Sequence, residues 1–588
     1  MTDTASPTQV PDLTTGLPLR LPPKLRAAVD AAIRTAVDER WAARVWDRDT
    51  TVWTDDPHVA ALIANRLGWL DAPEAFSDRV DELNAFAASA VAEGFKAGLV
   101  CGMGGSSLAP AVLAHALPRA AHGIPVAVLD STDPAAVAAA TTASDPSETL
   151  YLIASKSGTT TESLDFLAYF WDVEHHLHGR GPEAAPGEHF VAITDPGNLQ
   201  HFPHSEAFRS VFLNQADIGG RYSALTYVGL VPAALLGLDL DGLLGDARAM
   251  AERCRADDAT NPGVWLGASL AALARAGCDK LTFVIEPRLA PLGAWLEQLI
   301  AESTGKRGVG IVPVDGEPLG VPSVYGHDRV FVRLGRTAPS DWRTSTDTAL
   351  EALAAADHPV IDLGLEAGAW LGGEFFRWEF ATAIAGAGLH IDPFDEPNVT
   401  ESKDNTRRVL KGFHDDGSLP VATPLASEGH LRLFGDAPLR LTEPVADVAG
   451  ELRRHLDRTR ANGYIAIQAF IAPTPAREAA LRDLQRILRD ATHHAVTLGF
   501  GPRYLHSTGQ LHKGGAPLGC FLQLVAGHPD DVAIPGREET FGVLIDAQEL
   551  GDFASLEAHE LPVLRIDLSE DADRGLAELR TVVDRALA

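Results

Sequence analysis

Leu150-Tyr151-Leu152-Ile153-Ala154-Ser155-Lys156-Ser157-Gly158-Thr159-Thr160-Thr161-Glu162-Ser163 decides the reading of this chain. Its first five residues are a short apolar run, the pattern of a parallel strand buried on both faces. Hydroxyls crowd the next nine, together with one glycine and one lysine. An apolar helical pattern then takes over at Leu164, Phe166, Leu167 and Phe170. A strand that ends in hydroxyls and opens a helix is built to hold an anion. The first N–H groups of the helix have no internal partner, and short hydroxyl side chains add donors around the same point. An ordinary Ser/Thr cap needs one hydroxyl, so the stretch predicts binding of a phosphorylated small molecule.

The same rhythm extends both ways. Strands are expected at Gly98–Gly102, Ile124–Asp130 and Phe190–Asp195, with helices at Leu108–Leu117 and Pro134–Thr141 between them. Amphipathic helices are expected earlier, over Leu25–Asp47 and Asp71–Lys96. Strands alternating with helices predict a parallel sheet covered on both faces, with ligands at the carboxyl ends of the strands. The rhythm resumes after the helix-rich stretch Ala224–Ala276, with strands at Lys280–Ile285, Arg329–Val332 and Pro359–Leu363 and helices at Leu292–Ser303 and Trp370–Ala387. A third part has expected strands at Tyr464–Ile471, Val496–Phe500, Gly519–Val525 and Phe541–Ile545. Its expected helices are Ala476–His493 and Gly575–Ala588. The predicted class is α/β, with two doubly wound parallel-sheet domains and an additional C-terminal α/β region. Expected boundaries are 1–70 for an N-terminal tail and helices, 71–245, 246–435 and 436–588.

Composition narrows the functions. The chain has 588 residues, 46% hydrophobic and 22% charged, enough for several cores. The balance of 49 basic against 80 acidic side chains, net −31, argues against a nucleic-acid or anionic-membrane surface. Four dispersed cysteines, Cys101, Cys254, Cys278 and Cys520, form no zinc pattern or disulfide framework and fit a reducing cytoplasm. The polar, proline-rich start up to about Pro23 predicts no signal peptide, and no apolar stretch is long enough to span a bilayer.

Five further motifs carry chemistry. In Gly102-Met103-Gly104-Gly105-Ser106-Ser107, a serine stands where a dinucleotide fingerprint needs its last glycine. The glycines, Gly105 among them, instead let the backbone approach a ligand, with Ser106 as a donor. In Gly219-Gly220-Arg221-Tyr222-Ser223, Arg221 could stabilise an oxyanion, or form only a surface ion pair. Glu302, near the end of a mostly apolar helix and followed by Ser303-Thr304-Gly305-Lys306, could be a general base if partly buried, or an ordinary solvated carboxylate. Asp395-Glu396-Pro397-Asn398-Val399-Thr400-Glu401-Ser402-Lys403 places Lys403 on a helix that Asn398 or Thr400 could cap; Lys403 could serve a ring oxygen or be solvated. Finally, Tyr504-Leu505-His506-Ser507-Thr508-Gly509-Gln510-Leu511-His512-Lys513 holds two imidazoles in a polar loop, for acid-base work or for structural hydrogen bonds. Their spacing suits no metal helix, and neither metal nor cofactor is expected.

In this order the motifs resemble those of glucose-6-phosphate isomerases, enzymes built from two sugar-isomerase (SIS) domains. The resemblance covers about residues 75–410. The third part resembles the isomerase half of bifunctional transaldolase/phosphoglucose isomerases, although the N-terminal extension is too short for a transaldolase barrel and no such activity is expected. The resemblance implies that Gly105, Ser106, Ser155, Lys156, Ser157 and Thr160 bind substrate, mostly through its phosphate. It makes Glu302 the base that moves a proton between C1 and C2, Arg221 the enediolate stabiliser and Lys403 the group near the ring oxygen. It also implies a ring-opening histidine, which in the family precedes the lysine motif. Here the similar text follows Lys403, so His506 is preferred, with His512 and His390 as alternatives. A cytoplasmic glycolytic and gluconeogenic homodimer is implied, its active site completed by a residue of the partner. The same loops would suit mannose 6-phosphate or another C6-anionic sugar. A non-catalytic SIS sensor would usually lack the set Glu302, Arg221 and Lys403.

Overall fold

The computed structural model describes residues 13–14, 16–178, 185–365, 371–443 and 447–588. Most of the expected N-terminal tail, and the expected helix start at Trp370, lie outside them.

Sixteen strands form three sheets among the described residues. The short Leu19–Arg20 (β1) edges the second sheet. The first sheet is built from Ala97–Gly102 (β2), Val126–Leu129 (β3), Thr149–Ala154 (β4), Phe190–Thr194 (β5) and Ser210–Leu213 (β6). Its order is β3-β2-β4-β5-β6 and all its pairs are parallel. Every residue of β2, β4 and β5 is buried, as a strand packed on both faces requires. The chain leaves β2 to one side for β3 and returns to the other side for β4. The gap between the ends of β2 and β4 is therefore the switch point, where a doubly wound sheet leaves its ligand crevice. The two loops singled out by sequence, Met103–Ser107 and Ser155–Thr160, leave from those two ends.

The second sheet contains Lys280–Ile285 (β7), Val312–Val314 (β8), Arg329–Arg336 (β9) and Val360–Leu365 (β10), in the order β1-β10-β9-β7-β8. Only the β1–β10 pair is antiparallel. Its switch point, between β7 and β9, holds an ion pair. The Glu286 carboxylate accepts from the Arg336 backbone N–H at 2.9 Å and pairs with its guanidinium.

The third sheet, β11-β12-β16-β15-β13-β14, comprises Ala426–Glu428 (β11), Leu431–Gly435 (β12), Tyr464–Phe470 (β13), Ala495–Phe500 (β14), Gly519–Val525 (β15) and Val563–Asp567 (β16). Strands β16, β15, β13 and β14 are parallel, while β11 and β12 join antiparallel at the other edge. Strands β1, β6, β8, β11, β12 and β16 were not expected from sequence. One expected strand is not a strand. Phe541–Ile545 opens the helix Phe541–Ala558, whose start is capped by Thr540 accepting from the Val543 N–H. Five apolar or small residues cannot distinguish a strand from the first turn of a buried helix.

The third sheet and its helices are not a detached module. Ala301, Val312 and Val314 share one apolar cluster with Tyr464, Leu511 and Phe521, and Phe166 shares another with Ile534, Phe541 and Leu544. Glu317, after β8, lies buried between Arg329 (2.7 Å) and Arg489 of the C-terminal unit (3.3 Å). Replacing Glu317 with Ala would leave the fully buried Arg329 guanidinium without its carboxylate and Arg489 with Asp490 alone. The expected loss is about 3–5 kcal/mol of stability, read by urea denaturation; an unchanged midpoint would show that the triad is not structural.

Candidate active site

The glycine loop and the hydroxyl loop flank the first sheet's switch point. Gly104 has φ +53°, a backbone conformation that favours glycine, and from it the helix Gly105–Ala116 starts. A side chain on Gly105 would place its first carbon 2.2 Å from the Gly220 carbonyl oxygen and 3.0 Å from the Arg221 nitrogen. The absent side chain lets the Gly219–Ser223 turn sit directly on this helix. In the second loop Ser155 Oγ donates to Thr160 Oγ1 at 2.9 Å, and the Ser157 and Thr159 hydroxyls bond to each other at 2.9 Å. These four hydroxyls lie just before the N-terminus of the helix Thr161–His178, where the first N–H groups and the helix dipole favour an anion. The Lys156 ammonium pairs with Asp195 at the end of β5 and donates to the Ala216 carbonyl at 3.0 Å, which braces the loop.

Arg221 is buried and fully engaged, not the exposed ion pair that sequence left open. Its Nε donates to Ser303 Oγ (2.8 Å), one Nη to the Pro393 and Asp395 carbonyls (2.9 and 2.8 Å), and the other to Glu396 (3.0 Å). That last nitrogen stands 3.6 Å from Glu302. Glu302 is 7% exposed, on the helix Pro291–Thr304. Burial raises its pKa, and Arg221 offsets part of the shift. Burial also acts upward on Glu396, but Arg221 outweighs it, so Glu396 stays ionised below the ordinary carboxylate range. Two carboxyls beside one guanidinium thus separate, one toward a base and one toward a fixed anion. Lys306 pins the adjoining turn, donating to the Asp392 and Asp395 carbonyls at 2.7 and 2.5 Å, and burial lowers its pKa to about 8.

The C-terminal unit brings His506 to this place. His506 Nε2 lies 3.2 Å from the Glu162 carboxylate. Gln548 donates to the same carboxylate at 2.7 Å and accepts from Thr132 at 2.7 Å. Burial would raise the Glu162 pKa, but His506, with Lys403 adding to its effect, holds it below the ordinary value. An ionised Glu162 accepts a hydrogen bond from Nε2–H and so leaves the ring's free lone pair on Nδ1, the tautomer that a carboxylate partner selects. Gln298 ties this pair to Glu302. Its amide donates to Glu302 at 3.0 Å and to the His506 carbonyl at 2.8 Å. One cavity is lined by Thr159, Thr161, Glu162, Lys403 and His506.

The other histidines are placed elsewhere. His512 is buried against Phe521 and Tyr504, and burial lowers its pKa to about 3, so it stays neutral and structural. His390 bonds to Arg275 at 3.0 Å in a groove lined by Ala28, Trp41 and Ala268, none of them a site residue. The expected cap of the Lys403 helix is also different. The Val399–Asp416 helix follows Asn398, but the Asn398 side chain makes no cap bond and accepts from Gln510 at 2.9 Å. Ser106 stands half-buried on the first turn of the Gly105–Ala116 helix. Sequence reasoning passed over Glu162, Gln298 and Gln548. Glu162 was within the decisive stretch and could have been found as an acidic residue on a helix's first turn. Gln298 and Gln548 carried no such signal.

The family profile "phosphoglucose isomerase" matches residues 48–317. A glucose-6-phosphate isomerase of Thermus thermophilus is 31% identical over 396 residues, covering 59% of this chain and 90% of that one. The chain belongs to the glucose-6-phosphate isomerase family. Among solved structures, a hypothetical protein of Thermus thermophilus superposes with a TM-score of 0.56 at 26% identity, over 67% of this chain and 99% of that one. A glucose-6-phosphate isomerase of Chlamydia trachomatis, 20% identical, shares the fold with a TM-score of 0.50 over 64% and 78% of the two chains. The family profile spans the glycine loop, the hydroxyl loop, Arg221 and Glu302; Lys403 and His506 lie beyond it.

The electrostatics make an ordered prediction. In a carboxyl-selective NMR titration, Glu302 should have its midpoint above the ordinary 4.5 and Glu162 below it. Arg221→Gln should move Glu302 further up, because the guanidinium acts downward on it. The opposite order of the two midpoints would refute this account of the site.

Proposed function

We propose that this protein interconverts glucose 6-phosphate and fructose 6-phosphate through a cis-enediol, without a metal or cofactor. The observation that carries the reading is the pair Glu302–Arg221, a buried carboxyl with a raised pKa 3.6 Å from a buried guanidinium. The Arg221 turn rests on Gly105, and Gln298, which donates to Glu302, stands at Gly104, both in the glycine loop at the first sheet's switch point. The domain reading goes with it: SIS domains at 71–245 and 246–435 and a C-terminal α/β region at 436–588, with β11 and β12 joining the third sheet ahead of that last boundary.

In this mechanism Ser155, Ser157, Thr160, Ser106 and the Gly105 backbone hold the phosphate, the end of the substrate that does not react. Their binding energy can orient the reacting end. His506, with Nε2 held by Glu162, moves the proton between the ring oxygen and the C1 hydroxyl while Lys403 supplies positive charge nearby, and the ring opens. Glu302 takes the C2 proton of the open aldose. The electron pair of that C–H bond forms the C1–C2 double bond, and the C1 carbonyl oxygen becomes the enediolate oxygen. Arg221 faces that charge from a fixed position, so little reorganisation is needed as it develops. The oxygen on C1 gains a proton, the C2 hydroxyl loses one to become the ketone, and Glu302 returns its proton to C1. No atom is gained or lost, as an isomerisation requires. On this reading the enzyme forms a homodimer in the cytoplasm, where four free, buried cysteines would stay reduced. Among the described residues no helix is long and apolar enough to cross a membrane.

The loops would also accept mannose 6-phosphate, so a coupled assay should run both sugars with fructose 6-phosphate as the common product. Glu302→Gln should lower kcat by roughly 100- to 10,000-fold, the contribution of a positioned general base, with fructose 6-phosphate binding nearly unchanged by calorimetry. Full turnover in that variant would remove Glu302 from the mechanism. In the unmodified enzyme kcat/KM should fall with acid through a pKa above 4.5, because protonation of Glu302 removes the base. An acid limb at or below that value would count against it.

A further inference from the structure

The resemblance that predicts a ring-opening histidine also predicts that a partner subunit completes the site. The geometry points elsewhere. We propose that the C-terminal unit supplies His506 within the same chain, so that one chain holds a complete active site and turnover needs no second copy. This rests on the isomerase reading above.

The loop that carries His506 leaves the carboxyl end of β14, the edge at which an α/β unit presents its functional loops. It is inserted between the two earlier units and fastened to both. Gln298 holds the His506 carbonyl, and Glu162, Gln548 and Thr132 hold the imidazole in a chain of hydrogen bonds that runs from the first unit to the third. Further along the same loop, Gln510 donates to the Gly305 carbonyl at 3.0 Å and to Asn398 at 2.9 Å, and accepts from the Asn398 backbone N–H at 2.8 Å. Gly308 N–H donates to the Gly514 carbonyl at 3.0 Å. Lys513, fully buried, donates to Asp552 at 2.6 Å and to Ser402 at 2.7 Å. A buried ammonium strongly prefers to keep its carboxylate, and here the second bond falls on the residue next to Lys403. One ion pair therefore fixes the histidine loop and the lysine helix together.

The covalent path agrees. The Val399–Asp416 helix carries Lys403 and packs along the Phe541–Ala558 helix of the C-terminal unit, with Asn405 donating to Ser555 at 2.5 Å and His559 bonded to Glu401 at 2.9 Å. The short segment 417–425 then leads directly into β11. A unit tethered this closely meets its own chain's cleft at a far higher effective concentration than any partner's cleft. The Thermus thermophilus relative is matched over 90% of its length by 59% of this chain, so about two fifths of this chain has no counterpart there. The additional length is enough for a unit that does in one chain what a neighbour would otherwise do.

Intersubunit complementation tests the proposal. Glu302→Gln and His506→Ala chains, each with its own affinity tag, are assayed alone and after co-expression and purification through both tags. A site built within one chain leaves every site in the mixture with one defect, so the mixed protein should be no more active than the single variants. The unmodified enzyme should also keep its specific activity on dilution to the monomer, followed by mass photometry. If the C-terminal units are exchanged between copies, each doubly tagged dimer holds one intact site of its two, about half of full activity. That recovery would overturn the proposal. So would full turnover by His506→Ala and by a second variant, His506→Gln, each checked for folding by circular dichroism. Absence of turnover in the unmodified enzyme would mark failure of the isomerase reading, and is thereby distinct from failure of this inference.

Discussion

A guanidinium that is 3% exposed organises the centre of this molecule. Taking Arg221 out of water is costly unless every donor finds an acceptor, and its acceptors come from separate parts of the chain. Ser303 and Glu302 lie on the helix that follows β7, and the Pro393 and Asp395 carbonyls and Glu396 lie in the turn before the Lys403 helix. The Gly219–Ser223 turn that carries Arg221 rests in turn on the backbone of the Gly105 helix. The charge can be buried only when the two parallel-sheet units and this turn are in register. The same charge sets the chemistry, because it keeps Glu396 ionised while burial lifts Glu302.

The two parallel-sheet units share an architecture but not a role. At the first switch point, between β2 and β4, the chain places glycines and hydroxyls. At the corresponding place in the second sheet, Glu286 and Arg336 neutralise each other. The second unit contributes instead through the helix Pro291–Thr304, whose Gln298 and Glu302 face the first unit and the His506 loop. The C-terminal unit follows the same geometric rule as the others, presenting its functional loop from the carboxyl end of β14.

Local pattern was enough for much of this. Apolar runs with strand length and helical spacing located β2, β4, β5, β7, β13 and β15 within a residue or two, and the alternation of strands and helices implied parallel sheets. Such signals are legible because each element's burial is written in its own residues. Strands that carry little burial of their own, such as β6 and β11, were not seen, and β8, though buried, has only three residues. The Phe541 run was misread because its partner is a neighbouring helix in space, absent from any window of sequence.

For the site, the sequence by itself determined the chemical inventory: a hydroxyl-rich loop, Arg221 after two glycines, Glu302 on an apolar helix, Lys403 on a helix and two histidines in one polar loop. By resemblance it preferred His506 to His512 and His390, but the surroundings of all three were out of its reach. Tertiary structure separates them by burial and partnership. It set His506 against Glu162, enclosed His512 among aromatic rings, left His390 on Arg275, and paired Lys156 with Asp195. The physical reason is that a side chain's protonation and reach depend on charges and dielectric within a few ångströms, and those neighbours are brought together only by long-range folding.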